Sequence, residues 1–123
     1  MGSTARFTKA QRLLTRADFD RVQTGPAGRK AQAPHFLVLA APLAIEPGPA
    51  RLGVIASRRV GSAVHRNRAK RLVRHFFRTH ATELGSFDVV IVIKTGAQSL
   101  TQAQTDAELI PALVRLGVRK AGL

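Results

Sequence analysis

The chain of 123 residues contains no cysteine, no tryptophan, no tyrosine and only seven carboxylates. Without cysteine there can be no disulfide and no thiolate metal site, which suits a reducing compartment. Without tryptophan and tyrosine, six phenylalanines are the aromatic platforms left for stacking a nucleobase. Long apolar runs are also missing. The stretches 36–45, interrupted by Pro42, and 89–93 fall well short of the roughly 20 residues that cross a bilayer. The N-terminal residues 1–6 carry no apolar signal region, so a soluble, cytoplasmic protein with no membrane partner is expected. The scarcity of carboxylates argues against a catalytic centre in the protein. The closest pair, Asp18 and Asp20, point about 200° apart on a helix and cannot share a metal. His65, His75 and His80 sit among basic residues and are read as lacking carboxylate orienters; they are expected to face RNA or solvent, with no metal site and no catalytic residue.

What the chain has in excess is positive charge. Twenty Lys and Arg against seven Asp and Glu give +13, which repels itself in a compact state and calls for a polyanionic partner, nucleic acid first. With 45% hydrophobic residues the chain can still build one modest core. A single RNA-binding domain over 1–123 is expected, with 1–11 and 119–123 as flexible tails.

Along the chain, Leu13, Leu14, Ala17, Phe19 and Val22 have a loose helical spacing that stops at Thr24-Gly25-Pro26. Residues 25–34, rich in Gly, Ala and Pro, read as a loop, and Phe36 to Ala40 as a strand buried on both faces. A turn at 46–49 precedes a strand from Arg51 to Ser57, expected to run antiparallel to the first. Ser62 is a candidate N-cap for a helix of about 18 residues running toward Glu83. Asp88 to Lys94 reads as another strand. Thr101 to about Lys120 reads as a last helix, kinked or delayed by Pro111.

The helix after Ser62 carries the chemistry. No acidic residue occurs between Glu46 and Glu83, whereas Arg51, Arg58, Arg59, Arg66, Arg68, Lys70, Arg71, Arg74 and Arg78 supply nine of the 20 positive charges. At about 100° per residue from Arg66, Ala69, Leu72, Val73, Phe76 and Phe77 form one apolar arc, while Lys70, Arg74, Arg78 and Arg71 fall between about 40° and 140°. Arg66 and Arg68 mark the margins. The pairs Arg66/Lys70, Lys70/Arg74 and Arg74/Arg78 are like-charged at i,i+4, each costing roughly 0.2–0.5 kcal/mol in an isolated helix. A merely solvated face would alternate signs. Phosphates supply the missing anions, and guanidinium forks bind them bidentately. Phe76 and Phe77 are expected in the core, whereas Phe19, on a short helix lying over a sheet, is either core or a wall for single-stranded RNA.

The segment Arg51-Leu52-Gly53-Val54, followed by Ser57-Arg58-Arg59-Val60-Gly61-Ser62-Ala63-Val64-His65-Arg66-Asn67-Arg68-Ala69-Lys70-Arg71-Leu72-Val73-Arg74, resembles the signature of the bacterial ribonuclease P proteins. Arg12-Leu13 with Asp18-Phe19 resembles that family's N-terminal helix, and 87–93 its later strand. The resemblance implies a small α-β sandwich like domain 2 of ribosomal protein S5, with a left-handed βαβ crossover through the Arg-Asn-Arg helix. It implies a monomeric, non-catalytic subunit that partners a catalytic RNA and precursor tRNA and promotes removal of the 5′ leader. Hydrolysis would be carried by Mg2+ ions held by the RNA. Arg58, Arg59, Arg66, Asn67, Arg68, Lys70, Arg71 and Arg74 would bind the catalytic RNA; Arg12, Phe19, Phe36 and Leu39 would border a cleft for the leader. Gln23, one turn after Phe19, and the non-aromatic Leu39 depart from the family's habit and imply weaker stacking. A ribosome-associated RNA binder, a non-specific DNA binder and a protein-only nuclease are the alternatives.

Overall fold

In the computed structural model, residues 15–44 and 47–119 are described. Helix α1 (Arg16–Thr24) is followed by strands β1 (Arg29–Gln32), β2 (Phe36–Pro42) and β3 (Arg51–Ala56), helix α2 (Ala63–His80), strand β4 (Phe87–Ile93) and helix α3 (Gln102–Arg115). The four strands form one sheet in the order β1-β2-β4-β3. β2 pairs antiparallel with both β1 and β4, and β3 pairs parallel with β4. The β3-α2-β4 segment is therefore a parallel crossover whose connection is the basic helix.

One expectation from the sequence is corrected here and another is borne out in direction but sharpened. Residues 29–32 form an edge strand rather than loop: only Ala31 is buried among them, so the strand needs no apolar run and leaves no hydrophobic signature. The strand from Arg51 runs opposite to β2 but does not pair with it, because β4 lies between them. The connection from β2 to β3 is thus not a hairpin.

Strand parity divides the interior in two. Phe36, Val38 and Ala40 of β2, with Val89, Ile91 and Ile93 of β4, pack with Val73, Phe76 and Phe77 of α2 and with Leu109 and Leu113 of α3. Leu39, Ala41 and Val90 point the other way, where Val22 of α1 covers them. α2 begins where the sequence put it, on Ser62, whose hydroxyl accepts from the His65 amide. Just before it, Gly61 adopts φ 132°, and a Cβ there would come within 2.7 Å of the His65 ring; only glycine can make this entry. α3 starts on a reciprocal cap between Thr101 and Gln104. Pro111 neither delays its start nor ends it. Pro111 and Ala107, the residue whose carbonyl loses its amide partner, both lie on the exposed side, where water can replace that bond. The helix stops at Arg115 instead of about 120 because Gly117, at φ 77°, turns the chain. Arg119, expected in a tail, is buried and donates to Glu83 at 2.9 Å; 1–11 and 120–123 lie outside the described residues. Among the described residues no helix is long and apolar enough to cross a membrane.

Candidate RNA interface

The apolar arc of α2 is buried as its spacing requires: Ala69, Leu72, Val73, Phe76 and Phe77. This fixes the opposite arc in solvent. Asn67, Arg68, Arg71 and Arg74 are exposed, Arg66, Lys70 and Arg78 half-exposed, and Arg58 and Arg59 exposed on a single 3-10 turn (Arg58–Val60) that leads into the helix. Two of these side chains are braced by backbone rather than by acid. Arg66 donates to the Gly61 carbonyl at 2.9 Å and Arg68 to the Gln98 carbonyl at 2.7 Å. Among the described residues, no carboxylate lies within ion-pair distance of Arg58, Arg59, Arg66, Arg68, Lys70, Arg71, Arg74 or Arg78. A folded chain that tolerates such repulsion presents a ready surface to a phosphate backbone.

The other sheet face carries a cleft of about 410 Å3 bounded by the cap residue Thr15, by Arg16, Phe19, Asp20 and Gln23 of α1 and by Ile55 of β3. Phe19 is half-buried, so its ring both packs and faces solvent. Ile55 continues into a cross-strand row, since Ile55 pairs with Val92 and Val92 with Leu37. All three are half-buried and pack against the small core beneath α1. α1 covers part of this apolar ledge and leaves the rest open.

Of the residues expected to border the cleft, Phe19 lines it and Leu39 lies in the core under it, 7% exposed. Phe36 does not belong to it: it is 0% exposed and packs on the α2 side of the sheet. Phe36 and Leu39 are three residues apart on one strand, so their side chains take opposite faces. Arg12 lies outside the described residues. Leu37, Ile55 and Val92 were not anticipated. Period-two spacing from Leu39 would have pointed to Leu37, but the row across three strands exists only once the strand order is known.

α1 is held in place by a charge network that the sequence also concealed. Asp88, 0% exposed at the start of β4, accepts from Arg51 Nε at 2.7 Å and Nη2 at 2.8 Å, and from Arg21 of α1. Arg21 also donates to the Pro42 carbonyl at 2.6 Å. Arg51 reaches Asp18 at 3.1 Å, and Asp18 in turn shares hydrogen bonds with Thr15 at the helix cap. The bond to Asp88 raises the Arg51 pKa above its ordinary value, against the effect of burial. Burial pushes Asp18 up, but the Thr15 hydrogen bonds and the Arg51 charge outweigh it and hold the carboxyl below its ordinary value. Arg21 and Arg51 are thereby withdrawn from any ligand and serve to seat the helix. Asp18 and Asp20 part as their spacing requires, Asp18 into this network and Asp20 onto the cleft.

His80 corrects another expectation. It has carboxylate partners, with Nδ1 3.1 Å from Glu83 and Nε2 3.8 Å from Asp106, and its ring lies 4.7 Å from that of Phe76. The His80 hydrogen bond is the main cause of a lowered Glu83 pKa. His65 and His75 remain exposed on α2. Among the described residues no group of three or more His, Asp or Glu side chains converges as metal ligands would.

The sequence profile of the Ribonuclease P family matches residues 7–117. The chain is 46% identical over 92 residues to the ribonuclease P protein component of Desulfovibrio desulfuricans, covering 72% of this chain and 71% of that one. It is 40% identical over 110 residues to that of Desulforapulum autotrophicum, covering 89% and 90%. Among solved structures, the ribonuclease P protein of Staphylococcus aureus superposes with a TM-score of 0.79 at 28% identity, over 91% of this chain and all of that one. The corresponding protein of Thermotoga maritima superposes with a TM-score of 0.70 at 27% identity, over 81% and 92%.

Proposed function

Because the chain belongs to the ribonuclease P protein family, and so is a subunit of an RNA-processing endoribonuclease, we propose that it binds the catalytic RNA with α2 and the precursor's 5′ leader with the α1 cleft. The observation that carries this is the face of α2: eight basic side chains, counting the turn before it, with no carboxylate partner among the described residues. Arg58, Arg59, Arg66, Arg68, Lys70, Arg71 and Arg74 neutralise phosphates of the catalytic RNA, each contact releasing condensed counterions. Asn67, exposed between two arginines, adds a donor and an acceptor for a sugar or base edge. Across the sheet, Phe19 and the Leu37-Val92-Ile55 row offer an apolar ledge to leader bases, an arrangement that binds single strands with little sequence demand.

Hydrolysis belongs to the RNA in this reading. The carboxylates of the described chain are scattered or consumed in ion pairs, which suits Mg2+ held by RNA phosphates rather than by the protein. The protein contributes substrate affinity and relief of phosphate repulsion. The test is cleavage of a precursor tRNA at low magnesium by this protein alone, by a bacterial ribonuclease P RNA alone, and by both. Cleavage at the mature 5′ end in the mixture, far faster than with RNA alone, is expected. Cleavage by protein alone would overturn the assignment of chemistry, and no stimulation would overturn the assignment of role.

A further inference from the structure

α2 has two cationic flanks. Arg66, Lys70 and Arg74 follow one another along the first. The second faces the start of α3 and encloses a groove of about 250 Å3, lined by Arg68, Arg71, Leu72, His75, Arg78 and Gln102. Ligand pockets for drug-sized molecules begin at roughly 300 Å3, so this groove, open to solvent on one side, takes at most one nucleotide and not a stacked duplex end.

Its chemistry is graded. Arg71 and Arg78 stand one on each side of His75 in sequence and share its wall, with no carboxylate among the lining residues. Arg68 is fixed as part of that wall by its bond to the Gln98 carbonyl. Leu72, 8% exposed, supplies an apolar floor. Gln102 is oriented by two hydrogen bonds from the same nitrogen, to the Leu72 carbonyl and to Asp106 Oδ1, both 2.9 Å. With both amide hydrogens committed, the group Gln102 retains for a ligand is its carbonyl oxygen, an acceptor among donors. Asp106, the nearby acid, is engaged by Gln102 and lies 3.8 Å from His80. A bare phosphate would use the arginines but leave the floor, the ring and the acceptor idle.

We propose that this groove takes a single unstacked nucleotide of the catalytic RNA. Its phosphate lies on Arg71 and Arg78, its base rests on Leu72 against the His75 ring, and an exocyclic amino group donates to Gln102. Unstacked RNA bases are held in this way, by rings and guanidinium planes on their faces and by hydrogen bonds on their edges. The assignment of the nucleotide to the catalytic RNA rests on the function proposed above: the groove and the leader cleft lie on opposite faces of the sheet, so a leader in the cleft does not reach α3.

The experiment is an NMR titration of the free protein, reading the His75 ring and Leu72 methyl signals, with AMP, ribose 5-phosphate and inorganic phosphate as probes. AMP is expected to bind at least fivefold more tightly than ribose 5-phosphate. Gln102→Leu should weaken AMP binding without changing that of ribose 5-phosphate, and Lys30→Ala, an exposed change on β1, should leave both unchanged. Equal binding of the three probes would mean an anion site only, and equal shifts along Arg66, Lys70 and Arg74 would mean undirected charge attraction; either overturns the proposal. The source is tested separately. Ser99 is exposed beside α3 and the chain has no cysteine, so a photocrosslinker on Ser99→Cys should attach to the catalytic RNA in the holoenzyme. Attachment to the precursor instead would overturn the source while leaving the cleavage assay unaffected.

Discussion

On the α1 side of the sheet, Arg21 and Arg51 close on Asp88 and Asp18. On the α2 side, Arg58, Arg59, Arg66, Arg68, Lys70, Arg71, Arg74 and Arg78 meet no carboxylate among the described residues. The same residue type does opposite work in the two places. Paired arginines hold an element in position and lose their value to a ligand; unpaired arginines strain the helix that bears them and await phosphate. The contrast assigns stability to one set and affinity to the other, and each substitution below is chosen to break one side of it.

Asp88→Asn should have the largest effect on folding. It leaves Arg21 and Arg51 facing a neutral amide, and removing one partner of a buried ion pair costs on the order of 3–5 kcal/mol. Both arginines keep some contact with water, so about 3 kcal/mol is expected in urea unfolding. Phe19→Ala, on the same side but in the cleft, should act on substrate instead. Loss of one stacked base costs roughly 1–3 kcal/mol, read as a fall of about tenfold in holoenzyme affinity for a precursor with its leader and no change for mature tRNA.

Lys70→Gln should move stability the other way. It removes two like-charged i,i+4 pairs, with Arg66 and Arg74, worth roughly 0.2–0.5 kcal/mol each. The free protein should gain about 0.5 kcal/mol while its affinity for catalytic RNA falls. A loss of stability would mean that the cationic face is not strained.

The acid limb of stability sharpens the same contrast, because the carboxylates with lowered pKa are those paired with cations. Folding lowers the pKa of Asp18, through its Thr15 hydrogen bonds and Arg51, and that of Glu83, through His80 and Arg119. A carboxyl depressed by folding stabilises fully above its unfolded value, and that contribution is lost as pH falls through its folded value. Unfolding free energy should therefore fall as pH drops through and below the ordinary carboxylate range, and Asp18→Asn should make that fall shallower.

α2 was legible in the sequence because three signals coincide there: a cap at Ser62, an apolar arc at helical spacing, and a basic segment with the Arg-Asn-Arg element. β2 and β4 were legible because strands buried on both faces read as continuous apolar runs. What stayed hidden depends on partners remote in sequence. β1 buries one alanine and is recognisable by its ladder with β2. The pairing of β3 with β4 reflects a crossover that no local pattern encodes and that only the family resemblance of the Arg-Asn-Arg segment implied. Asp88 could have been flagged, since an acid opening an apolar strand must find cations if it is buried, but nothing near it in sequence says that they are Arg21 and Arg51. Phe36 was misassigned to the cleft although strand parity alone separates it from Leu39.

The central claim is that the α2 face and the α1 cleft bind different RNAs through different physics. The direct test is the salt dependence of binding to catalytic RNA alone, for the unaltered chain, for Arg74→Ala and for Phe19→Ala. Arg74→Ala should lower the slope of log K against log salt by about 0.7–0.9, and Phe19→Ala should change neither slope nor affinity. An unchanged slope for Arg74→Ala, with weakened binding for Phe19→Ala, would contradict the division of labour between the two faces.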